Sequence, residues 1–381
     1  MSRRLFALRE LSLHETASSA LLRAFLRRHG FRVQAGAGGL PTAFVARRRV
    51  GRGGPRIGLL AEYDALPDLG HACGHNLIGA AACGAAVLAA RLLDGDPAEI
   101  VVYGTPAEET IGGKIVLARR GLFRGLDAAL MFHPSTEDRV YMTSLACHSF
   151  EVVFRGRAAH AVASPEKGIN ALAALLALFA AMERLRPSLP AEARMPGIIT
   201  EGGRRPNIVP DRAVGRFTLR AGDLRRLARV KQAFFAAGHA AAKSVGARVE
   251  FRAVDLPYAE MRTNGPLAEV FKEELSALGR TTVDTPRKGM GSLDMGNVSQ
   301  VVPSIHPFVA IAPKIAPLHS RPFARRAGGS AGRRGLEIAS RALAATLVRA
   351  VRDPEVLRAA RRAFVAGGPR SGAPRAGRGA R

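Results

Sequence analysis

Four short apolar runs in this sequence each end in residues that bind metal ions or move protons. Residues 57–61 run into Glu62 and Asp64, and then into His71-Ala-Cys73-Gly-His75-Asn76. Residues 100–103 run into Gly-Thr-Pro-Ala-Glu108-Glu109, residues 128–132 end on His133-Pro134, and residues 308–312 lead to Pro317-Leu-His319. One glycine separates Cys73 from His75, so a single loop can present both side chains to one centre. Thiolate and imidazole suit zinc, cobalt or iron, and carboxylates widen the choice towards manganese. From an extended backbone, adjacent Glu108 and Glu109 cannot aim at the same point. One can bind metal while the other faces a reacting water, and a Lewis acid with a general base is the minimum for hydrolysing an amide. Taken singly, each feature has a plainer reading. An acidic pair favours a helix start, and a buried loop cysteine beside a structural histidine is common. The gathering at four strand ends is what argues for a site, because open α/β sheets bind ligands at the carboxyl ends of their strands. His306, in Pro303-Ser-Ile-His306-Pro307, sits at a strand entrance and is read as structural.

The elements that must position these groups alternate. A helix over 15–28, a strand from 56, a helix over 77–93 and strands at 100–103 and 128–132 predict a mostly parallel sheet flanked by helices. The texture changes near Ser149. Phe150, Val152 and Phe154 fall on one strand face, with Glu151 and Arg155 on the other. A helix over 168–185, a strand at 214–219, a helix over 224–242 and a strand at 247–252 complete a β-α-β-β-α-β-like, ferredoxin-like α+β module. The βα pattern resumes with a helix over 267–278 and a strand at 308–312, so the module reads as an insertion. The expected division is a discontinuous catalytic domain (1–148 and 258–366), an inserted domain (149–257) and a disordered basic tail (367–381).

Length and composition agree with this division. At 381 residues and 47% apolar content, about two packed cores are expected. The formal charge of +26 raises nucleic-acid binding as a competing class. The excess is scattered arginine, however, without zinc-finger spacing, aromatic interleaving or a single basic helix. Clusters at 47–49, 225–229 and 325–334 read as solvated faces. The most apolar helical stretch, 171–182, is too short to span a bilayer. Arg9 and Glu10 interrupt any leader-like start. Three cysteines do not make a disulfide framework, and a cytoplasmic location is expected.

Several motifs together resemble a known family. Ala61-Glu-Tyr-Asp-Ala-Leu-Pro67, Gly70-His-Ala-Cys-Gly-His-Asn76, Gly104-Thr-Pro-Ala-Glu-Glu109, Phe132-His-Pro134 and Ala158-Ala-His-Ala161 are similar to the aminoacylase/carboxypeptidase-type metallopeptidases, peptidase family M20. Pro206-Asn-Ile-Val-Pro210 and Gly291-Ser-Leu-Asp-Met-Gly-Asn-Val-Ser299 extend the likeness. It points to the Cys-containing amidohydrolase branch, nearest to its dipeptidase and aminobenzoyl-glutamate hydrolase members. The resemblance implies two divalent metal ions, zinc or manganese, with cobalt as a substitute in vitro. Cys73 would take the bridging position that is aspartate in the dizinc branch, with His75, Glu109, His133 and His319 completing the ligands. Glu108 would be the general base, and Asp64 would orient a ligand histidine. The insert would be a lid and homodimer interface, from which His160 reaches the partner's active site to stabilise the oxyanion. Asn207 would help hold substrate. The implied reaction is hydrolysis of a dipeptide or N-acyl amino acid. The alternative is a non-catalytic relative that binds metal or an amino-acid conjugate. The start close to the family's first helix and the basic stretch after His319 depart from the pattern.

Overall fold

The computed structural model describes residues 1–283 and 291–367. The expected tail, from residue 368 on, lies outside the described residues. The described residues form two compact units, Met1–Thr143 together with those between Met261 and Gly367, and Ser144–Glu260.

The first unit contains helices α1 (Ser2–Leu8), α2 (Thr16–Arg28), α3 (His75–Leu92) and α4 (Gly113–Arg119), and strands β1 (Arg32–Ala35), β2 (Phe44–Val50), β3 (Arg56–Ala61), β4 (Ala98–Gly104), β5 (Ala128–Leu130) and β6 (His133–Ser135). The central sheet runs β1-β2-β4-β3-β5 and ends on a short later strand, Ser304–Ile305. The core strands β4, β3, β5 and Ser304–Ile305 are mutually parallel, and β2 and β1 add an antiparallel edge. Strands β3 and β4 are near-continuous apolar runs, as parallel strands buried on both faces must be. Helix α3 packs on β3, and fourteen of its 18 residues are buried. It is long and apolar enough by composition to cross a bilayer, yet here it is a core helix. Its small residues allow close approach. A Cβ on Gly79 would lie 2.7 Å from the Glu62 carbonyl oxygen, so glycine lets the helix sit against the end of β3.

Two expectations about strand ends are corrected. β5 stops at Leu130 instead of running to 132, and His133 opens the separate strand β6. β6 pairs in parallel with Phe308–Ala310, His133 opposite Phe308. Residues 131–132 belong to neither strand, and His133 lies in this two-stranded pair and not in the central sheet.

The second unit is a four-stranded antiparallel sheet. Its elements are β7 (Ala146–Arg155), α5 (Ala171–Leu185), β8 (Gly197–Glu201), β9 (Arg212–Ala221), α6 (Leu224–Val245) and β10 (Arg248–Ala253), with strand order β10-β7-β9-β8. The strand at 197–201 is an element that the sequence reading did not place. Phe150, Val152, Phe154 and Phe217 form a core with Leu175, Leu178 and Phe234 from the two helices. Asn170 caps α5 by accepting from the Ala173 N–H, and Asp223 caps α6 by accepting from the Arg226 N–H. Edge strand β8 leaves Ile198 63% and Ile199 43% exposed.

After the second unit the first resumes with α7 (Gly265–Ala277), α8 (Met295–Ser299), β11 (the Ser304–Ile305 strand), β12 (the Phe308–Ala310 strand), α9 (Arg321–Gly328), α10 (Ser330–Arg352) and α11 (Pro354–Ala366). α10 lies against α3 and α7. The basic cluster at 325–334 therefore falls on helices that also contribute buried Ala324 and Ala327.

Candidate metal centre

The five expected metal ligands and Glu108 come together in the first unit. Cys73 ends the loop before α3, and His75 is the first residue of that helix. Gly74 between them has φ +80°, and a Cβ there would lie 2.5 Å from Pro134 Cγ, so only glycine lets this loop pass β6. Cys73 Sγ lies 3.4 Å from His133 Nε2, because His133 Nδ1 turns to the Pro134 carbonyl at 2.8 Å. His75 Nδ1 bonds Asp64 Oδ1 at 2.9 Å, which leaves Nε2 as its metal-facing atom. Glu109 Oε1 sits 3.8 Å from His75 Nε2 and 3.6 Å from His319 Nε2.

Ligand atoms of three overlapping groups lie within 4.8 Å of one another: Cys73, His75 and His133; Cys73, Glu109 and His319; and His75, Glu108 and Glu109. The last group corrects a premise of the sequence reading. The backbone before Glu108 is not extended, because Ala107 adopts φ +60°, so both glutamates reach the same neighbourhood. Buried Glu15 accepts the Ala107 N–H at 2.9 Å and holds that turn. His319 also has positive φ, and its N–H donates to the Ala72 carbonyl at 2.9 Å, which ties its loop beside Cys73. Such non-glycine conformations cost roughly 1 kcal/mol or more each and cluster at functional sites.

The residues present fit metal ions. His75 Nε2 and Glu109 Oε1 are buried and make no hydrogen bond among the described residues, although orphaned buried polar atoms are costly. The donor set of a thiol, three imidazoles and a carboxylate suits divalent metals.

Electrostatics point the same way. Burial pushes the Cys73 thiol well above its ordinary range, so a thiolate there needs a cation beside it. Burial lowers His133 to about 3 and His71 to about 4, which keeps both imidazoles neutral. Burial alone would also lower His75, but the acidic groups around it, Cys73, Glu62 and Asp64, raise it overall. Burial opposes the Asp64 charge. The His75 charge and hydrogen bonds from His75, the Glu109 N–H and Ser12 nonetheless hold its carboxyl down to about 2. Glu108 is raised by burial and by the carboxylates of Asp294, Glu62 and Glu109.

His160 and Asn207 lie in the second unit. Both are exposed, on segments that pair with each other: the Ala161 N–H donates to the Asn207 carbonyl at 3.0 Å. His160 Nδ1 accepts from the N–H groups of Val162 and Ala163 at 3.2 and 3.1 Å, so its proton rests on Nε2. His306, read as structural, is buried and packs its ring 5.6 Å from that of His133. Sequence reasoning missed the supporting groups Ser12, Glu15, Lys114 and Asp294. The sequence marked Glu62 and Asp64 by their strand-end position and Asp294 only as part of a motif, since contacts across 52 and 180 residues leave no local signal.

Residues 58–324 match the family described as Peptidase family M20/M25/M40. The chain belongs to that family. It is therefore a hydrolase of amide and peptide bonds. It is 36% identical to a Xaa-Arg dipeptidase of Mus musculus over 86% of this chain and 78% of that protein. It is 35% identical to one of the p-aminobenzoyl-glutamate hydrolase polypeptides of Escherichia coli over 56% of this chain and 49% of that protein. Among solved structures, a dinuclear metal binding peptidase from the M20 family of Bacillus subtilis superposes with a TM-score of 0.70 at 22% identity, covering 92% of this chain and 97% of that one. That likeness bears out the α/β fold expected from the sequence.

Proposed function

We propose that this peptidase-family hydrolase cleaves dipeptides or N-acyl amino acids at a centre of two divalent metal ions, zinc or manganese. Cys73, His75, Glu109, His133 and His319 would hold the ions, with cobalt able to replace them in vitro. The observation that carries the reading is the convergence of these residues from four separate segments of the chain, with His75 Nε2 and Glu109 Oε1 left without hydrogen bonds among the described residues. The names of the relatives, one a dipeptidase and one an aminobenzoyl-glutamate hydrolase, support the substrate class.

When bound, the metals supply Lewis acidity to the scissile carbonyl and lower the pKa of water at the site. The chain's own residues do the rest. Glu108, at the centre but not needed as a ligand, takes a proton from the attacking water and returns it to the leaving amine. Asp64 holds His75 in the tautomer that keeps Nε2 free of its proton. His160, with its proton on Nε2, donates a hydrogen bond to the developing oxyanion. We place that contact across a homodimer formed through the Ser144–Glu260 unit, whose edge strand β8 presents Ile198 and Ile199 for pairing. Asn207, on the segment beside His160, would bind substrate. The three free cysteines accord with a cytoplasmic location, and the scattered arginines with a solvated surface. Glu108→Gln tests the catalytic reading. It should keep its metal and its fold while turnover of a dipeptide panel falls ~100- to 10,000-fold. Near-normal turnover would remove Glu108 from the base role, and a wild-type enzyme inert on every substrate would favour a non-catalytic binding protein.

A further inference from the structure

Glu62 follows the end of strand β3, with its side chain buried. One oxygen, Oε1, accepts a hydrogen bond from Lys114 Nζ. Lys114 is itself fully buried. It also donates from Nζ to Asp294 Oδ1 at 2.7 Å, and from its backbone N–H to Asp294 Oδ2 at 2.9 Å. The other glutamate oxygen, Oε2, has no hydrogen-bond partner among the described residues. It lies 3.2 Å from His75 Nε2, which likewise has none. Since Asp64 engages His75 Nδ1, Nε2 is the atom His75 offers to a metal.

Buried carboxylates are stable only when compensated. Lys114 brings one positive charge to two carboxylates, so the trio retains one negative charge when both are ionised. Lys114 and Asp294 fill one side of Glu62, and its free oxygen is turned towards His75. We infer that Glu62 is a further protein group of the metal centre, its Oε2 supplying negative charge on the His75 side. Lys114 and Asp294 are positioning residues that keep this oxygen aimed. The inference rests on the metal-centre reading above and adds a residue that lies outside all three ligand groups. It also carries a consequence for metal choice. A further carboxylate makes a Cys/His/Glu set harder and shifts its preference from zinc towards manganese.

The test is metal affinity, measured by chelator competition for manganese and for zinc, with melting temperatures of the metal-free proteins recorded alongside. Glu62→Gln leaves Lys114 paired with Asp294, a neutral combination that should fold. Manganese binding is expected to weaken ~10- to 100-fold, with a smaller loss for zinc. A triple variant (Glu62→Gln, Lys114→Gln, Asp294→Asn) removes all three buried charges. It should fold and show the same selective loss of manganese, and it decides on the same criterion if Glu62→Gln does not fold. Unchanged affinities, or equal weakening of both metals, would overturn the inference. Cys73→Ala serves as the control. If it loses metal while Glu62→Gln does not, only the role of Glu62 falls; if it too binds like wild type, the metal-centre reading itself fails.

Discussion

Replacing Asp64 by asparagine changes no shape and breaks the site through proton positions. Three donors converge on this carboxylate: His75 Nδ1 at 2.9 Å on Oδ1, and the Ser12 hydroxyl at 2.8 Å and Glu109 N–H at 3.1 Å on Oδ2. Asparagine offers one acceptor oxygen. If that oxygen takes the Oδ2 place, the amide NH2 faces His75 and drives the ring proton to Nε2, the atom a metal needs. If it takes the Oδ1 place, the Glu109 N–H is left buried without an acceptor, and the backbone of a ligand loosens. Either arrangement forfeits a hydrogen bond to a charged group, worth about 1.5–3 kcal/mol. The carboxyl itself gives the same scale, since its fall from 3.8 to about 2 corresponds to ~2.5 kcal/mol favouring the ionised form. The sign is that of a depressed acid. Its contribution to stability is present above about pH 4 and lost as pH falls through about 2. Asp64→Asn should therefore bind manganese or zinc about 10- to 100-fold more weakly than wild type. The assay is chelator competition at matched pH, with the metal-free melting temperature as a control for folding. Wild-type affinity in a folded Asp64→Asn protein would refute the reasoning.

Three further outcomes are expected. At pH 7.5 the metal-free Cys73 is a thiol, because burial raises it, and it must lose its proton to ligate. Metal loading should thus release at least one proton per chain, read with a pH indicator, and affinity should fall as pH is lowered. His133, already neutral down to about 3, should contribute none, and side-chain NMR of the metal-free protein should find it titrating far below 6.5. His160→Ala should lower turnover while leaving metal content intact. Mixing it with the Glu108→Gln variant should restore part of the activity if His160 serves the partner's centre; no recovery from an exchanged dimer would place His160 elsewhere.

Much of this was legible in the residues, for stated physical reasons. The apolar runs of β3 and β4 and the small-residue helix α3 carry strong periodic signals, and a loop of Cys-Gly-His admits few readings. The ferredoxin-like unit was visible in the alternation of β7. Other features depend on distant contacts and leave no local pattern. Ala107 reads as a helix-favouring residue, yet Glu15, 92 residues away, holds it at positive φ. Lys114 reads as a solvated cation and is instead fully buried between Glu62 and Asp294. The three-residue strand β6 is too short to announce itself, and its existence is what sets His133 against Cys73.

The most direct measurement is the metal-to-protein ratio by elemental analysis after reconstitution with manganese or zinc, on wild type and on Cys73→Ala. Two ions per chain in wild type, with a clear fall in the folded variant, are expected if Cys73 joins both ligand groups. A ratio unaffected by removing Cys73, or no tightly held metal in wild type, would contradict the metal centre on which the proposed hydrolysis depends.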